Sequence, residues 1–248
     1  LKVIGVIILL FLFGSSIYRP VYADSPVKLL TADLSPFSIK DKQRPGFMVE
    51  IVRAIEQRLG RKADIRFLPW PRAQRRALTH PNKVIFPVTR ISARETRYSW
   101  LIDVVPMELV FVTKNGHKLS LDEARKLRWI SVQQDTPFDH FLRENGFRNL
   151  TPSPLGAKNH VKRLASGRVD AWFTARVLAY EGLKGYHPDY FTMSDPVVRY
   201  QVYIAASKDF PEDLKQRYRL VYAALKADGT IDKILHKYGY KASGREDW

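Results

Sequence analysis

Between residues 48 and 59 the apolar positions Met48, Ile51, Val52, Ile55 and Leu59 recur at the spacing of one helix face, and Gly60 supplies a stop signal. The stretch before it, VKLLTA at 27–32, reads as a strand. It ends in the loop Asp33-Leu34-Ser35-Pro36-Phe37, because proline removes a donor from the ladder. ADIRFL at 63–68 forms the next strand, a helix beginning near Pro69-Trp70-Pro71 runs through RAQRRAL, and KVIFPV at 83–88 is a further strand. This βαβ order predicts a largely parallel sheet with helices on both faces.

Two long strand-like runs follow, VPMELVFVTK at 105–114 and RYQVYIAASK at 199–208. They bracket a segment with its own strands (WISV, VDAWF) and helices. Paired extended crossings around an inserted segment imply an α/β protein of two lobes joined by hinge strands. Residues 24–112 and 199–248 are expected to form the first lobe and 113–198 the second.

The N-terminus has a separate pattern. Residues 3–13, VIGVIILLFLF, form an apolar run behind Lys2, and Val21-Tyr22-Ala23 precedes Asp24. That is the layout of a secretion signal at 1–23, cleaved after Ala23. The run is about half the roughly 20 apolar residues that a membrane span requires. Residue 1 is Leu, which suggests an alternative start codon or a trimmed start. With no cysteine in the chain, disulfides, thiolate chemistry, cysteine zinc sites and lipidated cysteines are all excluded. A soluble periplasmic protein is the expectation.

The formal charge is +16, and loss of Lys2 and Arg19 with the leader lowers it to +14. This balance favours anionic solutes, anionic surfaces or nucleic acid. Export argues against nucleic acid, and the cluster Arg72, Arg75 and Arg76 reads equally well as a solvated helix face. With 45% hydrophobic residues the chain can bury a substantial core.

The third strand delivers TRISAR, Thr89 to Arg94. A hydroxyl followed five residues later by a guanidinium suits a carboxylate: the fork of Arg94 grips both oxygens while Thr89 donates a further hydrogen bond. The competing reading is a surface arginine in an ordinary loop. The six histidines are scattered without metal spacing or a nearby triad partner, so no metal site and no cofactor is expected.

Several ordered motifs resemble the family 3 extracellular solute-binding proteins, the polar amino-acid receptors of ABC importers. They are the Pro36-Phe37 loop, GFMVEIVRAIEQRLG, the Thr89–Glu95 element, SVQQDTP, GRVDAWF at 167–173, YIAASKDFPEDL at 203–214 and ALKADGTIDKILHKYG at 224–239. The resemblance implies the two-lobed type II periplasmic binding protein fold. It further implies a monomer that closes around one small carboxylate-bearing, amino-acid-like ligand and presents it to an inner-membrane ABC permease, without enzymatic activity.

On this resemblance Arg94 pairs with the ligand carboxylate, Thr89 flanks it, and Thr136 meets the same group from across the cleft. Trp70 falls at an aromatic stacking position, with a core role as the alternative. Phe37 is a further ligand-binding candidate whose Pro-Phe setting also suits packing. The departures concern the ammonium. Ala175 stands where amino-acid receptors of this family commonly place an acid, Thr31 and Leu34 replace a second acid and an aromatic, and Asp135 replaces a glycine. An α-amino acid then needs Asp33, Asp135 or another carboxylate in a shifted role. Two alternatives remain open: a periplasmic dehydratase or lyase on the same fold, with Glu95 as a base, and a ligand-binding input to a membrane sensor.

Overall fold

The computed structural model describes residues 27–114, 116–154 and 156–240. The leader at 1–23 lies outside the described residues. The first part of the chain forms β1 (Lys28–Thr31), α1 (Phe47–Arg58), β2 (Ile65–Phe67), α2 (Trp70–Thr79) and β3 (Lys83–Arg90). The 16-residue β4 (Ser99–Lys114) then leads to α3 (Leu121–Arg125), β5 (Ile130–Gln133), α4 (Pro137–Glu144), β6 (Leu150–Ser153), α5 (Ala157–Ala165), β7 (Ala171–Ala175), α6 (Arg176–Leu183) and β8 (Phe191–Met193). The return strand β9 (Val198–Ala206) is followed by α7 (Glu212–Ala227) and α8 (Thr230–Lys237).

The strands join in the order β2-β1-β3-β9-β4-β7-β5-β6, with β8 also on β4. Its two wings are parallel: β1 pairs with β2 and β3, and β5 with β6 and β7. The centre is antiparallel, because β4 and β9 run alongside each other from Ser99 opposite Ala206 to Leu109 opposite Val198. Beyond that point β4 continues to pair with β7 and β8. Strand β9 joins the first wing through β3 and β4 joins the second through β7, so the pair carries the connection between the lobes of a type II binding-protein fold.

The apolar face of α1 buries Met48, Ile51, Val52 and Ile55 completely, against Leu29, Val84 and Phe86 of the sheet. Each such side chain contributes on the order of 1.5–3 kcal/mol. On the opposite face α2 buries Ala73 and Ala77 against Leu30, Ile85 and Val88, with Trp70 and Leu78 partly buried at the edge of the same cluster. Where β4 runs beside β7, Phe111 and Phe173 pack beneath α4, while Val110, Val112 and Trp172 face α5 and α6.

Helix α1 starts at Gly46, whose φ is +91°. A Cβ there would meet the Phe37 carbonyl oxygen at 2.5 Å, so only glycine lets α1 approach the loop after β1 this closely. The Gly46 N–H donates to the Tyr238 hydroxyl at 3.1 Å, and that hydroxyl donates to Glu50 at 2.6 Å. The end of α8 thus holds the start of α1 beside the loop that borders the site.

Candidate functional site at the strand ends

Because β1, β2 and β3 are parallel, the loops leaving them gather at one edge of the first lobe. This is the position, outside the carboxyl ends of the strands, where open α/β sheets receive ligands. The loop after β1 is cross-linked by hydrogen bonds: Leu34 and Ser38 exchange backbone bonds of 2.6 and 2.9 Å, and the Ser38 hydroxyl donates to the Ala32 carbonyl at 2.7 Å. Thr31 is buried and donates to the Phe86 carbonyl at 2.7 Å, so this hydroxyl is committed to the strands.

The TRISAR element sorts its two arginines into different tasks. Arg90 donates to both oxygens of Glu95, at 2.9 and 2.5 Å, and to the Tyr203 hydroxyl at 3.2 Å. Its guanidinium carbon also lies 5.3 Å from the ring centres of Trp100 and Tyr203. Arg94 ends a short 3-10 turn (Ser92–Arg94), is half-buried, and donates from Nη1 to the Thr89 carbonyl at 3.2 Å. It has no carboxylate partner among the described residues. Burial pushes the Arg94 pKa down against the favourable pull of the Tyr98 hydroxyl, while Arg97 adds repulsion. A guanidinium in this setting stays charged and lacks an anion.

Two neighbouring groups share this unfinished state. The Tyr98 hydroxyl is buried without a hydrogen-bond partner among the described residues, and burial pushes its pKa up. The Thr89 hydroxyl has no partner among the described residues, and it is the Thr89 carbonyl that Arg94 engages. Trp70 opens α2 and lines a depression of ≈ 350 Å³ together with Asp33, Leu34, Lys40 and Phe67. Among the described residues of that lining Asp33 is the one acid; it accepts the Lys40 backbone N–H at 3.2 Å and remains exposed. Phe37 is only 6% exposed and packs 5.2 Å from Phe47, within the core behind the loop.

Thr136 lies in the second lobe at the carboxyl end of β5, and it is the N-cap of α4. Its hydroxyl donates to the Gln133 carbonyl at 2.7 Å and accepts the Asp139 N–H at 3.5 Å. Asp135 has a φ of +56°, the left-handed conformation that glycine adopts without strain and that aspartate tolerates better than most residues. Its backbone N–H donates to the buried carboxylate of Asp139 at 3.2 Å, and Asp139 in turn accepts from Arg143 at 2.7 Å.

Ala175 is fully buried at the carboxyl end of β7. The next residue, Arg176, donates to Glu108 at 2.9 Å, and Arg199 donates to the other Glu108 oxygen at 2.8 Å. Glu108 and Arg199 face each other across the two connecting strands, so this triad ties the second lobe to the hinge. The motifs alone do not reveal it, because it depends on the register of strands about 90 residues apart; the opposed charges inside the two expected hinge strands were the available signal.

Two parallel wings joined by paired connecting strands, with unfinished polar groups at the carboxyl edge, define a two-lobed binding protein. The family model of bacterial extracellular solute-binding proteins, family 3, matches residues 29–241, and the chain belongs to that family. No curated protein matches. Among solved structures, the fold is similar to a histidine kinase sensor domain with similarity to periplasmic binding proteins (TM-score 0.74, 17% identity, 86% of this chain and 96% of that one). It is also similar to a mutant of ArgBP from T. maritima (TM-score 0.72, 20% identity, 86% and 94%). A third is the ancestral amino acid-binding protein AncCDT-1, a precursor of cyclohexadienyl dehydratase (TM-score 0.73, 21% identity, 86% and 94%).

Proposed function

We propose that this is a periplasmic solute-binding protein that captures a small carboxylate-bearing, amino-acid-like solute between its lobes and delivers it to an ABC permease. The first lobe comprises residues 24–112 and 199–248 and the second 113–198, with β4 and β9 absorbing the closing rotation. No described helix is long and apolar enough to cross a membrane.

The observation that carries this reading is the half-buried guanidinium of Arg94, held by Thr89 and lacking a carboxylate partner among the described residues. A ligand carboxylate supplies that partner and gives the closed state its differential contacts. Asp33 takes the ligand's ammonium in place of an acid at position 175, and Trp70 forms the wall of the side-chain pocket. Membership in the solute-binding family supports capture, and the likeness to ArgBP is consistent with an amino-acid-like ligand.

The reading is non-enzymatic. Glu95, the candidate base of a lyase, is bound at both oxygens by Arg90, whose hydrogen bonds push its pKa down. The sensor-domain likeness favours a second reading, in which the closed form signals to a membrane receptor instead of a permease. A thermal-shift screen of amino acids, keto acids, dicarboxylates and small peptides, followed by calorimetry, tests the ligand class. Stabilisation by amino acids supports the reading, and absence of any carboxylate ligand refutes it. Adjacent permease and ATPase genes separate transport from sensing.

A further inference from the structure

At the end of the second lobe remote from Thr136, the segments entering β5 and β6 enclose a depression of ≈ 360 Å³ lined by Arg125, Arg128, Trp129, Phe147, Arg148 and Asn149, with Gly146 at its margin. Among the described residues three guanidiniums line it and no carboxylate does. Arg125, Arg128 and Arg148 are all exposed, and Trp129 keeps 40% of its surface open.

The frame of this depression is fixed. The Trp129 backbone exchanges two hydrogen bonds with Asp170, of 2.8 and 2.9 Å. Arg125 is held by Asp122 at 2.5 Å and by the Asn145 carbonyl at 3.1 Å, and lies 5.2 Å over the Phe147 ring. The Asn149 amide donates to the carbonyls of Ala124 at 3.0 Å and Leu127 at 2.8 Å, satisfying acceptors at the end of α3 that would otherwise repel an anion. The nearby acids are all engaged: Asp122 pairs with Arg125 and offsets its charge, Asp170 accepts the Trp129 N–H, and Glu123 sits in the Ser120 capping box. Arg128 and Arg148 have neither a hydrogen bond nor an ion pair among the described residues.

We propose that this depression binds a phosphate-bearing anion, with the guanidiniums of Arg128 and Arg148 on the phosphate, the Asp122-paired Arg125 beside them, and Trp129 as a flat wall for the group that carries it. One guanidinium fork satisfies a carboxylate. A tetrahedral phosphate offers three oxygens and up to two charges, which calls for several forks converging from different sides. The space exceeds that of bare phosphate and leaves room for an attached group. Either a lipid headgroup or a soluble phosphate has this chemistry. The site uses no residue of the cleft, so it stands or falls separately from the proposed solute binding.

The full chain, its double variant Arg128→Gln/Arg148→Gln, and Trp129→Phe test the assignment. Binding is followed by calorimetry with inorganic phosphate and pyrophosphate against chloride at equal ionic strength, and by cosedimentation with phosphatidylglycerol or phosphatidylcholine vesicles. Saturable binding of a soluble phosphate, weakened roughly tenfold or more in the double variant at unchanged melting temperature, supports the site with a soluble ligand. Loss of phosphatidylglycerol vesicle binding in the double variant supports it with a headgroup ligand. In either case Trp129→Phe removes the accompanying fluorescence change. No binding by either probe, binding matched by chloride, or binding undiminished in the double variant overturns the assignment.

Discussion

Arg94 reaches back five residues to donate a 3.2 Å hydrogen bond from Nη1 to the Thr89 carbonyl. This contact aims the guanidinium without neutralising it, unlike the bidentate pairing of Arg90 with Glu95 in the same element. Replacing Arg94 with alanine removes a fork-shaped cation from the proposed ligand site, at a cost to binding of about 2–5 kcal/mol. The melting temperature of the unliganded protein should hold or rise, because a half-buried charge without a carboxylate partner opposes folding. Calorimetry with the screened ligand decides the matter: unchanged affinity in Arg94→Ala removes Arg94 from the site.

Asp33 and Trp70 share one depression and make separable predictions. If the ligand carries an ammonium group, Asp33→Asn should weaken an amino acid by about 1–3 kcal/mol while leaving the corresponding keto acid nearly unaffected. Trp70→Ala should weaken both, through loss of the wall. Equal losses for amino acid and keto acid in Asp33→Asn would sink the ammonium assignment.

The legible parts of this fold are those in which period and local chemistry agree. Helix α1 is readable because Met48, Ile51, Val52 and Ile55 recur at its period and all four are fully buried. The expected hinge strand at 105–114 actually begins at Ser99. Its first half is obscured because register shifts near Trp100 and Asp103 break the alternation, burying Leu101 and Ile102 side by side. At the site, the basic and hydroxyl residues of TRISAR stand out in the sequence, whereas the division of labour between Arg90 and Arg94 does not. Glu95 takes Arg90 at both oxygens, and the rings of Trp100 and Tyr203, brought beside it by the strands, complete that setting. The Glu108 triad stays hidden for the same reason, since only strand register brings Arg199 opposite it.

Gly46 links the core to the site through a single close approach. An alanine there combines a φ of +91° with a Cβ 2.5 Å from the Phe37 carbonyl oxygen and 2.8 Å from Ser38 Cα. Both contacts are with backbone, so rotamer changes give no relief. Gly46→Ala is expected to cost about 3 kcal/mol or more, through combined strain and overpacking. The loop carrying Asp33 moves with Phe37, so ligand affinity should fall along with stability. Urea unfolding measures the first effect; a loss below about 1 kcal/mol would show that the loop yields easily.

Tyr222 on α7 gives stability a distinct alkaline limb. Burial, and then the nearby carboxylates Asp103 and Asp232, push its pKa up to about 12. An unfolded tyrosine titrates near 10. Below about pH 10 both states keep the proton and this group adds no pH dependence. From there to about 12 the unfolded chain releases the proton while the folded protein retains it, so folding stability falls as pH rises. The slope is at most about 1.4 kcal/mol per pH unit for this residue, and it ends once the folded state also ionises. Lysines titrate over the same range, so the comparison with Tyr222→Phe isolates the tyrosine. Denaturant unfolding between pH 9 and 12 should show a shallower decline in the variant; parallel curves would mean that the Tyr222 hydroxyl ionises as freely in the folded protein as in the unfolded chain.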